Sequence, residues 1–175
     1  MTSLFELLKT RRSIRKYLPK VVEHEKIQQI TYAALMSPAS KRSNPWEFIV
    51  VEDKETLLKL SESRSHSSQM LAESPLGIIV IADKTKSDVW MEDASIAAII
   101  IQLQVHDLGL GSCWIQIYGR EKNEYMTAEE YIRELYNIPE KFGVLSIISI
   151  GYPNEERKPF DTEKFVTDKI HFEKF

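Results

Sequence analysis

The sequence predicts an α+β fold in which helices pack on a mixed central β-sheet. Helical patterns and apolar strand-like runs alternate along the chain in the order α-α-β-α-β-α-β-α-β. Elements interspersed in this way usually pack in layers around a shared sheet. A chain of 175 residues is long enough to bury a real core, and no linker or repeat divides it. We therefore expect a single domain spanning 1–175.

The first two helices are predicted from their capping residues and apolar spacing. Ser3 and Glu6 fit a capping box for a short helix that ends near Thr10. Apolar residues recur at helical spacing through 23–36, and Pro38 lies just beyond the expected end. Both helices therefore precede the first strand.

The next segment alternates between strands and a third helix. Residues 46–52 form an apolar, β-prone run that predicts a strand. Asp53 can cap a helix that continues to about Arg64. The serine-rich stretch 61–68 fits either a loop or a frayed helix end. Residues 76–82, LGIIVIA, are typical of a strand buried on both faces.

The longest helical pattern covers residues 90–108. Glu92 and Asp93 suit a helix N-terminus, and Gly109 can end the helix. Almost every position from 94 to 103 is apolar, which indicates a helix buried on all sides. The covering surface could belong to a second subunit or to the core of the same chain. The sequence alone leaves both explanations open.

A third strand is predicted at 113–118, after a turn at 109–112. Thr127 and Glu130 then fit a second capping box, for a helix that ends near Asn137.

A fourth strand at 144–150 precedes an irregular tail. Residues 154–175 are charged, with scattered aromatic residues and no clear period. We expect this tail to lie as an arm on another surface.

Composition narrows the possible functions. The net charge is −3, so no global positive field attracts nucleic acid or a membrane surface, and we expect neither as a partner. No apolar run reaches the length of a membrane span or resembles a signal peptide, so we expect a cytoplasmic protein. Cys113 is the only cysteine, which excludes an intrachain disulfide, and it is expected to be an unreactive core thiol.

The stretch RRSIRKY at 11–17 concentrates four cations and a hydroxyl next to the end of the first helix. Cations at this place could simply be solvated and complement the helix dipole. Alternatively, arginine forks and a serine hydroxyl could bind the oxygens of a phosphate. The choice between these interpretations depends on the rest of the chain.

Motifs for other catalytic chemistries are missing from the sequence. There is no Walker loop, no dinucleotide GxGxxG in its proper context and no GxSxG elbow. The four histidines are widely spaced, so we expect no metal site, and His106 fits a helix-end residue. With no side-chain nucleophile and base in view, an enzyme of this sequence would use an organic cofactor.

Four stretches, in order and at the right spacing, resemble the FMN-dependent nitroreductase family. They are RRSIRKY at 11–17, SPASKRSNPWEF at 37–48, the segment from Glu92 to GLGSCWI at 109–115, and GYP at 151–153 with a basic residue after it. The resemblance covers about 4–159. It implies a nitroreductase-like three-layer fold and an intertwined homodimer, with the arm 155–175 packing on the partner subunit.

The resemblance also implies an FMN site at the subunit interface. Residues 11–15 are expected to hold the phosphate and pyrimidine edge, with Arg15 beside the flavin, whereas Lys16 points to solvent. The 38–44 loop is expected to reach the flavin of the partner subunit, and a backbone N–H near Gln116 to face flavin N5. The basic phosphate ligand after GYP is Lys158 or Arg157. The predicted cofactor-binding residues are Arg11, Arg12, Ser13, Arg15, Pro38, Ala39, Ser40, Asn44, Gln69, Trp114, Ile115, Gln116 and Lys158.

By this resemblance, NADH or NADPH passes hydride to flavin N5 and a small acceptor, such as a nitroaromatic or quinone, is then reduced. No side chain is expected to be catalytic. Gln69 stands near a position where some relatives have a lysine, and it would make the flavin environment less positive. Dehalogenation, heterocycle oxidation, flavin breakdown and flavin binding without catalysis remain alternatives.

Overall fold

The computed structural model describes residues 3–175, so Met1 and Thr2 of the predicted domain lie outside the described residues. Within this range the helices are α1 (Leu4–Thr10), α2 (His24–Leu35), α3 (Lys54–Ser61), α4 (Trp90–Asp107) and α5 (Ala128–Tyr136). The strands are β1 (Trp46–Val51), β2 (Leu76–Asp83), β3 (Gly111–Gln116), β4 (Glu121–Asn123), β5 (Met126–Thr127) and β6 (Phe142–Gly151). The α+β class predicted from the sequence is confirmed.

The main sheet is antiparallel, so the expectation of a mixed sheet was wrong. Its four strands lie in the order β1-β2-β6-β3, and each neighbouring pair is antiparallel. Helix α4 returns the chain so that β3 runs in the same direction as β2. However, β6 lies between these two strands, and no parallel strands become neighbours. A single parallel bridge, between Ser13 and Ser112, extends the β3 edge.

Helices cover both faces of this sheet, which gives three layers. Alternate residues of β2 point to opposite faces, as the period of a strand requires. Ile78 and Val80 pack in one core with α2 and α4. Ile79 and Ile81 pack in a second core with α3 and α5. The predicted burial of β2 on both faces is therefore confirmed.

Side-chain hydrogen bonds determine several element ends. The hydroxyl of Thr127 accepts from Glu130 N–H and the carboxylate of Glu130 accepts from Thr127 N–H, which completes the predicted capping box of α5. Helix α3 ends at Ser61, three residues before the predicted Arg64. The Ser61 hydroxyl donates to Leu58 O at 2.6 Å, and Ser68 Oγ donates to Ser61 O at 2.7 Å. Because these hydroxyls satisfy the terminal carbonyls, the serine-rich stretch is a loop.

Some short elements were not predicted. The β4–β5 hairpin and 3₁₀ turns at Ser40–Arg42 and Gln69–Ala72 are too short to leave a hydrophobic period in the sequence. Strand β3 begins two residues earlier than expected because Gly111 and Ser112 pair with the end of β6.

One face of α4 is only partly covered by its own chain. Ala94, Ala98 and Ile101 are fully buried, whereas Ile96 and Ile99 are exposed by 38% and 37%. The explanation that α4 is enclosed by the core of a single chain is therefore wrong. Leu4, Phe5 and Leu8 of α1 are exposed as well, and the groove between α1 and α4 is lined mainly by apolar side chains, with Gln104 and Asp107 at its polar end. Within 3–175, no helix combines the length and apolar character needed to cross a membrane.

Candidate functional site

The basic segment 11–17 leaves α1 in an extended conformation and runs beside strand β3. The N–H of Ile14 donates to Ser112 O at 2.9 Å. The side chain of Ile14 is buried, whereas those of Arg15 and Lys16 are exposed. The segment is therefore held to the sheet edge through its backbone and one apolar side chain, which frees its cations.

Tyr17 fastens the other end of this segment to β6. Its hydroxyl donates to Ile14 O at 2.7 Å and lies 2.8 Å from Ser149 Oγ. Burial raises the pKa of Tyr17 above its ordinary value, so the phenol remains a donor even in alkaline solution. Tyr17 also forms a bridge with Pro153, just beyond the end of β6. This contact brings the two distant parts of the chain together.

Residues from both parts form a cleft of about 260 Å³, which we call the arginine cleft. The first part supplies Arg11, Arg12, Ser13 and Arg15, and the second supplies Arg157 and Phe160. Arg12 donates to Lys158 O, and its guanidinium carbon lies 4.7 Å from the centre of the Phe160 ring. All four predicted ligands within 11–15 are thus brought to one place.

The two candidate ligands after GYP differ in position. Arg157 lines the arginine cleft, and its Nη2 lies 2.6 Å from Glu155 Oε2. Lys158 is exposed and contributes its backbone carbonyl to Arg12 rather than a charge to the lining. This geometry favours Arg157 over Lys158, and the part played by the Lys158 ammonium remains a prediction.

The electrostatics of the arginine cleft suit an anion. Four guanidinium groups line it, and the neighbouring carboxylate is that of Glu155. Guanidinium forks bind phosphate or carboxylate oxygens in pairs, through charge-assisted hydrogen bonds. Ser13 adds a hydroxyl to the same lining. This set of donors fits the phosphate of a mononucleotide.

Strand β3 presents free backbone donors next to the arginine cleft. The carbonyl of Ser112 points away from β6 toward Ile14, and backbone groups alternate sides along a strand. The N–H groups of Trp114 and Gln116 therefore point to the same free edge. The side chains of Trp114 and Gln116 lie on the same face of the sheet, opposite to that of Ile115. Trp114 Nε1 donates to Gln116 Oε1 at 2.9 Å. Ile115 itself is buried in the core.

The 38–44 loop lies at the other end of α4. The buried carboxylate of Asp93, in the first turn of α4, accepts from Ser40 N–H at 2.8 Å and from Ser87 Oγ at 2.7 Å. Asn44 adopts a positive φ of 43°, which asparagine tolerates better than most residues. Pro38, Ala39, Ser40 and Asn44 do not line the arginine cleft of their own chain.

Other candidates from the sequence occupy separate places. Gln69 is exposed at the start of a 3₁₀ turn and does not line the arginine cleft. Cys113 is buried, and burial raises the pKa of its thiol, in agreement with an unreactive core residue. His106 lies 2.8 Å from Thr10 Oγ1, near the end of α4. Among residues 3–175, no three His, Cys, Asp or Glu side chains are grouped to bind a metal.

Sequence reasoning missed Glu155, Phe160 and the role of Asp93. Glu155 and Phe160 lie in a tail without periodicity, and the residues they contact are about 140 positions away in the sequence. Asp93 was noted as a helix-opening residue, but its contact with the loop joins positions 53 apart. No local motif signals such pairs, although the GYP turn indicates that the chain changes direction there.

Comparison with known proteins identifies the family. The family model described as "Nitroreductase family" matches residues 8–65 and 60–152. The chain belongs to the nitroreductase family. Its nitroreductase fold is confirmed by the FMN-dependent nitroreductase of Clostridium difficile R20291, which has a TM-score of 0.96 and 51% sequence identity. That likeness covers 98% of this chain and 100% of the other.

Sequence relatives within the nitroreductase family agree. A protein from Archaeoglobus fulgidus, provisionally named NADH dehydrogenase/NAD(P)H nitroreductase, is 39% identical over 180 residues, which cover 100% of both chains. The FMN reductase [NAD(P)H] of Bacillus subtilis (strain 168) is 25% identical over 182 residues, covering 91% of this chain and 70% of that protein. Members of this oxidoreductase family thus match the chain over nearly its full length.

Proposed function

We propose that this nitroreductase binds FMN and transfers electrons from NADH or NADPH to a small acceptor such as a nitroaromatic or a quinone. The observation that carries the proposal is that the arginine cleft adjoins a strand edge with free N–H donors. An anionic group and a flat, hydrogen-bonding ring could occupy these two surfaces together. The named activities of the FMN-dependent and NAD(P)H-linked relatives support the same assignment.

Arg11, Arg12 and Arg157 would hold the FMN phosphate. The phosphate carries nearly two negative charges, and each charge-assisted hydrogen bond contributes about 1.5–3 kcal/mol. Ser13 would donate to a further oxygen. Phe160 packs on the Arg12 guanidinium and would limit its freedom before the phosphate arrives. We retain Lys158 as a secondary cation at the rim.

Arg15 and strand β3 would hold the isoalloxazine ring. Bound FMN would supply the hydride-transfer chemistry that no side chain here provides. The N–H of Gln116 would donate to the ring from the free edge, while Trp114 and Ile115 keep this edge in place. Arg15 would stabilise negative charge at the pyrimidine end, and Gln69 would add a neutral hydrogen bond. The protein would thus orient the reactants rather than supply a catalytic side chain.

A second copy of the chain would complete the site. The apolar face formed by α1 and α4 is exposed in one chain, and burying it against a partner is favourable. The 38–44 loop is remote from its own arginine cleft, as expected if it contributes Pro38, Ala39, Ser40 and Asn44 to the partner's flavin. The exposed arm 155–175 carries Phe165 and Phe172, which could be covered by the same partner.

The absorbance spectrum of the purified protein tests the cofactor assignment. We expect yellow protein that releases FMN on denaturation, identified by mass, and that oxidises NADH or NADPH when an acceptor is supplied. Stopped-flow reduction by each nucleotide would separate an enzyme from a flavin binder, which should not bleach at a useful rate. Colourless protein that stays colourless after incubation with FMN would contradict the proposal.

A further inference from the structure

The carboxylate of Glu155 joins the two parts of the arginine cleft. Its Oε1 accepts from the N–H of Arg15 at 2.6 Å and from the N–H of Lys16 at 3.3 Å. Its Oε2 forms an ion pair with Nη2 of Arg157, at 2.6 Å. Arg15 and Glu155 are separated by 140 positions in the sequence. One side chain therefore connects the basic segment, the arm and a guanidinium group of the lining.

We infer that Glu155 is a positioning residue for anion binding, because it fixes Arg157 and the Arg15 backbone at the geometry that the cleft requires. The inference rests on the proposed function, in which the anion is the FMN phosphate. Only 13% of the Glu155 side chain is exposed, compared with 45% for Arg157. The carboxylate is thus the anchored member of the pair, and the guanidinium is the member that can reach a ligand.

The protonation state of Glu155 agrees with this role. Burial by itself would raise the pKa of the carboxyl group, but the N–H of Arg15 and the charge of Arg157 outweigh it and lower the pKa. Glu155 therefore stays ionised to a lower pH than an ordinary glutamate, with Oε1 accepting hydrogen bonds and Oε2 paired with Arg157.

Positioning and simple electrostatics predict opposite effects of removing this carboxylate. A negative charge beside four guanidinium groups weakens the attraction for phosphate, so Glu155→Ala would tighten binding if charge alone mattered. If Glu155 fixes the donors, the same change releases Arg157 and weakens binding. The sign of the change in FMN affinity therefore decides between the two roles.

The experiment compares FMN with riboflavin, which has the same ring and no phosphate. We expect Glu155→Ala to weaken FMN binding about 10-fold or more, the scale of one lost charge-assisted interaction. Riboflavin binding should weaken by a clearly smaller factor, because only the Arg15 contact with the ring is affected there. Glu156→Ala is the matched control, because it removes the adjacent, exposed carboxylate, and it should leave both affinities unchanged. In an Arg157→Ala background, Glu155→Ala should cost clearly less than in the wild type.

The inference is overturned if Glu155→Ala binds FMN as tightly as the wild type or more tightly. It is also overturned if riboflavin affinity falls by the same factor, because that result indicates a general structural role. If Glu155→Ala does not fold, Glu155→Gln decides in the same way, through its ratio of FMN to riboflavin affinity. Failure of the wild type to bind FMN contradicts the proposed function instead, so the two failures are distinguishable.

Discussion

Gly111 lies so close to Ile14 that a methyl group at position 111 would come within 2.8 Å of the Ile14 Cβ. This contact lets the basic segment lie directly on the β3 edge, where Ile14 N–H reaches Ser112 O. Gly111 has no positive φ to accommodate, so the requirement is for space rather than for backbone freedom. The position of the cations therefore depends on a missing side chain.

Gly111→Ala should displace the basic segment. Overpacking of this kind costs about 1–3 kcal/mol of stability, and the shifted segment should also bind FMN more weakly. Urea unfolding and FMN titration measure the two effects. Gly77→Ala is the control, because its Cβ would come no closer than 3.1 Å to any side chain, at the end of Leu57, with Leu71 and Ile147 at 3.6 and 3.8 Å. Equal stability of Gly111→Ala and wild type would show that Ile14 can move without consequence.

Arg12→Ala should weaken FMN binding by about 1.5–3 kcal/mol, the usual range for a hydrogen bond to a charged group. Titration of the apoprotein followed by flavin fluorescence gives the affinity. Lys16→Ala, which removes an exposed neighbouring cation outside the cleft, should have little effect. Unchanged affinity in Arg12→Ala would remove Arg12 from the set of phosphate ligands.

Arg15→Gln should lower the reduction potential of the bound flavin. A cation near the pyrimidine end stabilises the anionic reduced form, so replacing it with a neutral amide favours the oxidised form. Spectroelectrochemical titration measures the potential, with the variant still loaded with FMN. A potential equal to that of the wild type would mean that Arg15 lies too far from the ring to affect it.

His106 should make stability depend on pH between neutral and mildly acidic conditions. Thr10 Oγ1 donates to Glu6 O at 2.6 Å, so it accepts its other hydrogen bond from His106 Nε2–H, 2.8 Å away. Burial, with a smaller contribution from the charge of Arg11, lowers the pKa of His106 below its ordinary 6.5. The unfolded chain therefore binds more protons in this window, and stability falls as the pH drops below about 6.5.

Thermal melting from pH 8 to pH 5 tests this expectation. His106→Gln keeps a donor for Thr10 but cannot titrate, so its melting temperature should decline less over this range. Parallel declines for wild type and variant would assign the pH dependence to other groups.

Ile99→Glu should separate the proposed dimer. The substitution places a charge in the middle of the exposed apolar face of α4, where a partner would have to desolvate it. We expect monomers in analytical ultracentrifugation, together with loss of FMN. Leu58→Glu is the control, since Leu58 is exposed at 54% on α3, on the opposite side of the sheet. A flavin-loaded dimer of Ile99→Glu would show that this face is not the interface.

The sequence predicted where helices and strands lie along the chain better than it predicted which of them lie side by side in the fold. Asp53 and Thr127 correctly indicated helix starts, because a cap is a local hydrogen bond. The apolar run at 144–150 correctly indicated a buried strand, but its place between β2 and β3 depends on long-range pairing. An apolar run predicts that a strand is buried, but it does not indicate which strands pair with it or in which direction. This explains the wrong expectation of a mixed sheet.

The candidate site likewise contains a part that the sequence predicted and a part that it did not. Arg11 to Arg15 form one continuous stretch, so their shared lining follows from a single local conformation. Glu155 and Phe160 join them through long-range contacts, which include the bridge between Tyr17 and Pro153 and the hydrogen bond from Arg15 N–H to Glu155. Distinguishing Arg157 from Lys158 required the direction of each side chain, which an irregular tail does not reveal.

The contacts between residues 11–17 and residues 153–160 also affect when during synthesis the site can form. Ribosomes make the chain from its amino terminus, so the first arginines leave the exit tunnel long before Glu155, Arg157 and Phe160 are synthesised. A nascent polypeptide therefore has no complete pocket for the cofactor until residues 155–160 have been synthesised and have left the ribosome. Flavin loading is therefore expected only after these residues have emerged, and a chain truncated before Glu155 should not retain the cofactor.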